Sequence, residues 1–428
     1  MKTEILYSLF KGTGVSTDTR TLKKGELFFA LWGETFNGNK YAAEAIEKGA
    51  SFAVIDDPDF ETDKTILVDD TLLELQALAS HYRKELKASV LAITGTNGKT
   101  TTKELIASIL AKKFRIHYTK GNLNNHIGVP LTILSAPVET ELMIIEMGAN
   151  HPGEIKLLSN IARPDYGIIT NVGTAHLAGF GSFEGVLKSK SELYEYLRSV
   201  NGIAIYNDKN PVLSEKIFKL INRAVPYSDP TGIELLVEAV PSAMNLKVIA
   251  VYQKAVYNIQ TNLFGDFNLE NVKAAIATGL FLGVEMKDIA DAIGNYLPGN
   301  NRSELRNTKS NIIICDSYNA NPTSMTLAIQ SFTTVEASKK VLILGDMLEL
   351  GEKGEEEHTK ILKMLDGNFQ DVLLVGPQFQ HACRNFEFKT FPDVNMLSEY
   401  LKVSQIKDSA VLIKGSHGMA LEKIYDLL

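Results

Sequence analysis

Residues 89–113 read "SVLAITGTNGKTTTKELIASILAKK": an apolar strand, a glycine-containing loop and a helix. Phosphate-binding loops occur in this order, usually with the spacing G-x-x-x-x-G-K-[ST]. That spacing would place the first glycine at Ile93, but the glycine comes two residues later, at Gly95. The segment is therefore either a phosphate loop of different spacing or a tight turn that carries a solvated lysine.

The local chemistry favours the phosphate loop. Glycines let backbone N–H groups approach phosphates, and the start of the helix adds partial positive charge. Lys99 can reach terminal phosphates, and the hydroxyl of Thr100 or Thr101 can face Mg²⁺. The predicted nucleotide contacts of the loop are Gly95, Thr96, Asn97, Gly98, Lys99, Thr100 and Thr101.

Short apolar runs recur along the chain, each followed by Gly, Asn or Asp and then a helical pattern. Continuous apolar runs of this kind are typical of buried parallel strands in α/β proteins. Ligands of such proteins bind at the carboxyl ends of the strands. The runs are "SVLAITG" (89–95), "LMIIEMGAN" (142–150), "YGIITNVG" (166–173), "GIAIYND" (202–208), "NIIICDSYNANP" (311–322), "KVLILGDMLELG" (340–351), "DVLLVG" (371–376) and "AVLIKGS" (410–416).

Length and turn-rich segments predict three domains. A chain of 428 residues is long enough for several cores, and "ELKAS" (85–89) and "YLPGNNRSE" (296–304) separate the strand patterns. We expect an N-terminal domain over 1–86, a central parallel-sheet ATPase domain of the P-loop type over 87–299, and a Rossmann-like α/β domain over 300–428.

Composition excludes several classes of protein. The formal net charge of −7 argues against nonspecific nucleic-acid binding. Two cysteines, Cys315 and Cys383, are too few for a disulfide scaffold, and we expect Cys315 to be buried in a strand. No apolar run is long enough to span a membrane, and the first twelve residues lack a signal-peptide pattern. We expect a cytoplasmic protein without membrane insertion.

Polar residues after the strands are candidate site residues, each with a simpler interpretation. Glu146 ends an apolar strand, where a carboxylate is costly to bury unless it is paired or binds a metal. His176 follows the next strand and could equally be a structural hydrogen-bonding group. Lys188 and Lys190 lie in a helical pattern whose default interpretation is a solvated face.

Taken together, the phosphate loop, the strand-end Glu and His and the lysine pair resemble the Mur ligases. These are ATP-dependent, amide-forming enzymes of peptidoglycan synthesis. The resemblance covers essentially the whole chain and is strongest to the branch that adds a dipeptide. It rests on "STDTR" (16–20), "LFFALWGETFNGNKY" (27–41), "KGNLNNHIGVPLT" (120–132), "DSYNANPTSM" (316–325), "LGDMLELG" (344–351) and "KGSHGMALE" (414–422).

The resemblance implies roles in binding ATP and Mg²⁺. Lys99 would bind the β- and γ-phosphates and Thr100 the first Mg²⁺, while Glu146 and His176 would help to hold a second Mg²⁺. Lys190 would react with CO₂ to give a carbamate whose oxygens suit Mg²⁺. Other implied nucleotide contacts are Asn268, Asn271, Arg302, Asp316 and Asn319.

The resemblance also implies the substrates and the reaction. UDP-N-acetylmuramoyl-tripeptide would be phosphorylated by ATP to an acyl phosphate, which the amine of D-Ala-D-Ala would then attack. Both substrates are small molecules, and we expect the enzyme to act as a monomer. The implied substrate-binding residues are Ser16, Thr19, Arg20, Asn124, Asn125, His126 and Asp346.

Two positions depart from the family pattern, and several functions stay open. Phe267 stands where many family members have His, and Asn37 stands where Asp is common. The chain could be a different ligase of the superfamily, either the enzyme that adds the third residue or a folylpolyglutamate synthetase. It could also be a catalytically decayed nucleotide-binding module, or a P-loop ATPase that moves a partner. His358 and His417 are either surface groups or substrate contacts of the third domain.

Overall fold

The computed structural model describes residues 2–10, 13–173, 177–242, 244–299 and 301–428. Its parallel sheets flanked by helices confirm the predicted α/β class. The helices are α1 (Lys2–Phe10), α2 (Ala42–Glu47), α3 (Thr71–Glu85), α4 (Lys99–Leu110), α5 (Gly128–Leu134), α6 (Glu154–Ala162), α7 (Leu177–Phe180), α8 (Phe183–Ser199), α9 (Pro211–Leu220), α10 (Leu269–Phe281), α11 (Met286–Asn295), α12 (Pro322–Thr333), α13 (Gly354–Leu365), α14 (Pro377–Ala382) and α15 (Val394–Val403).

The N-terminal part forms a small parallel sheet of order β1-β2-β3-β4. Helix α3 joins it to the central part, because the Tyr82 hydroxyl donates to the Ala136 carbonyl at 2.7 Å and Arg83 Nε donates to the Ala162 carbonyl at 2.9 Å. The two parts also share one hydrophobic core. The strands are β1 (Val15–Ser16), β2 (Leu27–Phe29), β3 (Phe52–Ile55) and β4 (Thr65–Leu67).

The central part is built on a parallel sheet of order β10-β9-β8-β5-β7-β6. Strands β5 and β7 are buried along almost their whole length, as their continuous apolar sequences predict. Their register pairs Ile93 with Glu146, so the phosphate loop and Glu146 meet at one edge of the sheet. The strands are β5 (Ser89–Thr94), β6 (Ile116–Tyr118), β7 (Leu142–Glu146), β8 (Tyr166–Ile169), β9 (Ile203–Tyr206) and β10 (Ala224–Pro226).

An antiparallel sheet of order β11-β12-β13 follows, and the apolar runs did not predict it. Burial alternates along much of β12, because one side of the sheet packs on the central core while the other faces outward. Such alternation is a weaker signal than a continuous apolar run. The strands are β11 (Leu235–Val240), β12 (Asn245–Tyr252) and β13 (Ala255–Phe264).

The C-terminal sheet has the order β14-β15-β19-β16-β17-β18, and β14 is its antiparallel edge strand. The remaining strands are parallel, as expected for a Rossmann-like domain. Cys315 is fully buried in β15, as predicted. The strands are β14 (Glu304–Asn307), β15 (Asn311–Asp316), β16 (Lys340–Gly345), β17 (Asp371–Val375), β18 (Lys389–Phe391) and β19 (Ser409–Lys414).

The predicted domain boundaries after residues 86 and 299 both fall between elements, and they stay predictions. The first lies between α3 and β5, and the second lies between α11 and β14. Within the described ranges, no helix is both long enough and apolar enough to cross a lipid bilayer.

Candidate active site

The loop between β5 and α4 requires glycine at two positions. Gly98 has φ of 78° and caps the helix, and a Cβ atom there would lie 2.2 Å from Asn271 Oδ1. Gly95 has φ of 143°, and its Cβ atom would lie 2.0 Å from Thr170 Oγ1. Because L-residues rarely adopt these angles and the space is filled, the backbone can take this path only with glycine. The observed strand, loop and helix are the context that phosphate binding needs.

Lys99 is folded back over this loop. Its Nζ donates to the carbonyls of Gly95 at 2.8 Å and Thr96 at 3.0 Å. Loss of hydration at the cavity wall lowers the pKa of the Lys99 amine. The negative charge of Glu146 opposes this shift, and the positive charge of Arg302 adds to it. Both carbonyl bonds are replaceable, so an anion entering the loop can attract the ammonium group away from them.

Glu146 ends β7 and is almost completely buried. Its Oε1 accepts from Thr100 Oγ1 at 3.1 Å and from Asn124 Nδ2 at 2.8 Å. Its Oε2 has no hydrogen-bond partner among the described residues and lies 3.5 Å from Lys103 Nζ. A buried carboxylate oxygen without a hydrogen bond is costly and is suited to bind a ligand.

The neighbourhood of Thr100 and Glu146 fits a hard divalent cation. Mg²⁺ prefers one or two carboxylates together with hydroxyl, water and phosphate oxygens. The Thr100 hydroxyl, the Oε2 atom of Glu146, which accepts no hydrogen bond, and the adjacent loop supply such a set. In the described part of the chain, no three His, Cys, Asp or Glu side chains cluster as a preformed metal site. His176 lies outside the described residues.

Lys190 is buried rather than solvated, in contrast to the default interpretation of its helical pattern. It lies in α8, and its Nζ donates to the Ala149 carbonyl at 3.4 Å. Burial, together with the nearby charge of Lys99, lowers the pKa of its amine to about 7, although Glu154 and Glu192 oppose the shift. Lys188, two residues earlier, is exposed as the default predicts.

The C-terminal part closes the other side of the site. The Arg302 guanidinium carbon lies 3.6 Å from the centroid of the Tyr318 ring. Asp316 Oδ2 accepts from Lys414 Nζ at 2.6 Å. Asn321 Nδ2 donates to Asn97 Oδ1 of the phosphate loop at 2.7 Å, which connects the C-terminal part directly to the loop.

Asn268 and Asn271 support the wall of the site through their side-chain amides. Asn268 Nδ2 donates to the Phe264 carbonyl at 2.8 Å, and its Oδ1 accepts from Asn271 Nδ2 at 2.8 Å. Asn271 Oδ1 in turn accepts from Thr102 Oγ1 at 3.1 Å. Phe267 lines the same wall and contacts the Phe264 ring edge to face, so this position contributes an apolar surface.

These groups surround one cavity of about 780 Å³ between the central and C-terminal parts. Most of the predicted site residues line it, whereas Lys190 lies behind its Ala149 wall. The predicted residues on the lining are Thr96, Asn97, Gly98, Lys99, Thr100, Thr101, Asn124, Asn125, His126, Glu146, Asn268, Asn271, Arg302, Asp316 and Asn319.

Three predicted substrate residues of the N-terminal part do not line this cavity. Ser16 Oγ donates to the Asp18 carbonyl at 2.9 Å, Thr19 Oγ1 donates to Glu44 Oε1 at 2.9 Å, and the exposed Arg20 pairs with Asp18 at 2.6 Å. Their role in substrate binding stays a prediction.

Asp346 lies in a structural network of the C-terminal part. It is fully buried, and its carboxylate accepts from the backbone N–H groups of Gln378 at 2.9 Å and Phe379 at 2.8 Å. Beside it, His358 Nε2 accepts from the Met347 N–H group at 3.0 Å, and burial lowers the pKa of this imidazole. His358 is therefore not a surface group, whereas His417 is exposed and stacks on Tyr318.

We expect Asp346→Asn to destabilise the protein by about 2–3 kcal/mol, because the new amide must turn an N–H group toward one of the two backbone donors. Thermal and urea unfolding measure this change. Asp366→Asn, at an exposed position just after α13, is the matched control. A variant of unchanged stability but weakened substrate binding would make Asp346 a substrate contact instead.

Sequence reasoning missed several groups around the cavity. Lys103 is buried beside Glu146, Lys414 ends the buried strand β19 and pairs with Asp316, and Asn321 contacts the phosphate loop. A charged residue at the end of an apolar strand is the signal that identified Glu146, and the same signal applies to Lys414. No local pattern distinguishes Lys103 from a solvated helical lysine.

Family models match most of the chain. The model described as Mur ligase family, catalytic domain, matches residues 11–84. The Mur ligase middle domain matches residues 93–279, and the Mur ligase glutamate ligase domain matches residues 301–417.

Similar proteins cover nearly the full length. A Bacillus subtilis protein named UDP-N-acetylmuramoyl-tripeptide–D-alanyl-D-alanine ligase is 36% identical, over 96% of this chain and 92% of that protein. A crystal structure of MurF from Acinetobacter baumannii is 29% identical with a TM-score of 0.83, over 96% of this chain and 92% of that one. MurF ligase from Thermotoga maritima in complex with ADP is 25% identical with a TM-score of 0.85, over 98% and 97%.

Proposed function

The chain belongs to the Mur ligase family, and we propose that it is an ATP-dependent, ADP-forming ligase that joins D-alanyl-D-alanine to UDP-N-acetylmuramoyl-tripeptide in peptidoglycan precursor synthesis. The observation that carries this proposal is that a phosphate loop, a buried carboxylate with an oxygen that accepts no hydrogen bond, and residues of the C-terminal part meet in one cavity. We further propose that the enzyme is a cytoplasmic monomer.

Each part of the chain has a separate task in this proposal. Residues 1–86 bind the uridine end of the substrate, residues 87–299 bind ATP, and residues 300–428 bind the dipeptide and close over the nucleotide. The hydrogen bond between Asn321 and Asn97 supports closure, since it joins the third part to the phosphate loop.

The phosphates of ATP lie against the loop and the start of α4. The Lys99 ammonium group leaves the two loop carbonyls and binds the β- and γ-phosphates instead. Asn268 and Asn271 line the part of the cavity that takes the adenine. Thr100 and Glu146, with His176 as a predicted further ligand, would hold Mg²⁺. When bound, Mg²⁺ neutralises charge on the phosphate oxygens.

The amide bond forms in two chemical steps. An oxygen of the tripeptide carboxylate attacks the γ-phosphorus, and ADP leaves to give an acyl phosphate. The free amine of D-Ala-D-Ala attacks the acyl carbon, inorganic phosphate leaves, and the amine loses a proton. Water would hydrolyse the acyl phosphate, so a cavity closed between two domains protects it.

Lys190 becomes a carbamate in this proposal. Its neutral amine attacks the carbon of CO₂, an N–C bond forms, and a proton is released. Because the pKa of this amine is about 7, much of it is already neutral near physiological pH. The product would be an anion behind the Ala149 wall, and its oxygens are of the kind that Mg²⁺ prefers.

Phosphate release from ATP tests the proposed function. With Mg²⁺, we expect release only when both UDP-N-acetylmuramoyl-tripeptide and D-Ala-D-Ala are present, with a product heavier by the dipeptide in mass spectrometry. Release with a shorter precursor and a single amino acid would identify a neighbouring Mur branch instead. Release without either substrate would indicate a motor-type ATPase, and no release in any combination would indicate a decayed module.

A further inference from the structure

Lys103 is a buried cation that the proposed reaction does not use. It lies in α4, one turn after Thr100, and its side chain has no solvent exposure. Its Nζ forms no hydrogen bond with the described part of the protein. An ammonium group without hydrogen bonds is expensive to bury unless nearby negative charge compensates it.

Two carboxylates supply that charge. Lys103 Nζ lies 3.5 Å from Glu146 Oε2 and 3.1 Å from Glu104 Oε1. Thr100 and Asn124 donate hydrogen bonds to Oε1 of Glu146, so Oε2 is the oxygen that faces the Lys103 ammonium group. The oxygen best placed to bind a metal is therefore the one paired with Lys103.

Lys99 is a second cation near the same carboxylate. Lys99 and Arg302 line the cavity with Glu146, and the charge of Lys99 interacts with that of Glu146. Glu154, Glu270 and Asp316 also line the cavity, and Asp316 is paired with Lys414. The charge of Glu146 itself is offset by Lys103 and Lys99 when no nucleotide is bound. A divalent cation entering alone would meet this field, whereas one bound to phosphates would bring compensating negative charge.

We propose that Lys103 is a positioning residue that acts as the counter-charge of Glu146, so that a divalent cation binds this site only together with nucleotide phosphates. This inference rests on the proposed function, in which Glu146 and Thr100 hold the metal. A cation that enters must share Glu146 Oε2 with the ammonium group. The negative charge of the nucleotide phosphates offsets the repulsion between the metal ion and the Lys103 ammonium group. Lys103 therefore prevents the metal ion from binding before the nucleotide.

The test is the affinity of the protein for Mn²⁺, measured by electron paramagnetic resonance with and without saturating ADP. Wild-type protein should bind Mn²⁺ at least about 100-fold more weakly without ADP than with it. Lys103→Met and Lys103→Gln remove the charge and should strengthen binding of Mn²⁺ alone by about tenfold or more. Lys103→Arg keeps the charge and should bind as the wild type does.

Each contrary outcome has a distinct meaning. Thermal melting and ADP binding verify that the Met and Gln variants are folded. If the folded variants bind Mn²⁺ no more tightly than the wild type, the proposed role of Lys103 is wrong. If neither variant folds, the wild-type titration decides, because equal Mn²⁺ affinity with and without ADP contradicts the proposal. If Glu146→Gln leaves Mn²⁺ binding with ADP unchanged, the metal site of the proposed function is wrong instead.

Discussion

Lys99→Ala should lower kcat of ligation by about 1,000-fold or more while the uridine nucleotide substrate still binds. Lys99 is the one lysine of the phosphate loop, and its Nζ needs only to leave the Gly95 and Thr96 carbonyls to reach the terminal phosphates. Without it, the charge that develops during phosphoryl transfer loses its nearest cation. Phosphate release under saturating substrates measures the loss, and calorimetry with the uridine nucleotide measures the retained binding.

The matched control for this variant is Lys112→Ala. Lys112 follows the same helix, is exposed, and lies at the end remote from the loop. We expect this variant to keep wild-type kcat and nucleotide binding. Loss of uridine nucleotide binding in Lys99→Ala would count against the assignment of the two substrates to separate domains.

Lys190→Ala should be almost inactive, with a loss of about 100-fold or more, and a short carboxylic acid such as acetate should restore part of the activity. The substitution removes the buried amine that is proposed to become a carbamate, and it leaves space behind the Ala149 wall for a small carboxylate. Phosphate release at increasing acetate concentrations measures the rescue. Lys188→Ala, exposed on the same helix, should have wild-type activity without acetate.

The pH dependence of carbamate formation follows from the same lysine. Because burial lowers the pKa of Lys190 to about 7, the reactive neutral amine increases as the pH rises through that value. After removal of CO₂, its return at the same dissolved CO₂ concentration should therefore restore activity faster at pH 8 than at pH 6. Full activity of Lys190→Ala without any added acid would remove Lys190 from the site.

Much of the fold could be predicted because its signals are continuous along the chain. The strands β5, β7, β15 and β19 are apolar over four or more successive residues, and this pattern is typical of strands covered on both faces. The β11–β13 sheet escaped prediction because half of its side chains face outward, so its pattern resembles that of loops and exposed helices. Continuous burial leaves a clearer trace in the sequence than half burial.

The phosphate loop shows how far local sequence can carry a functional prediction. Its glycines, lysine and threonine are adjacent in the chain, so strand, loop and helix place them together without help from distant residues. Glu146 was predicted as a strand-end carboxylate. Its hydrogen bond from Thr100, across 46 residues of sequence, could be known only from the register of β5 against β7.

The sequence alone therefore sufficed for the α/β class and the phosphate loop, because both depend on residues that are neighbours in the chain. The folded arrangement was needed to show that Lys190 is buried while Lys188 is exposed, that Lys103 faces Glu146, and that Asn321 contacts Asn97 across 224 residues. The physical reason is that burial and charge pairing are properties of packed surfaces. A lysine has the same side chain in water and in a core, and only its surroundings decide whether its charge is hydrated, paired or lost.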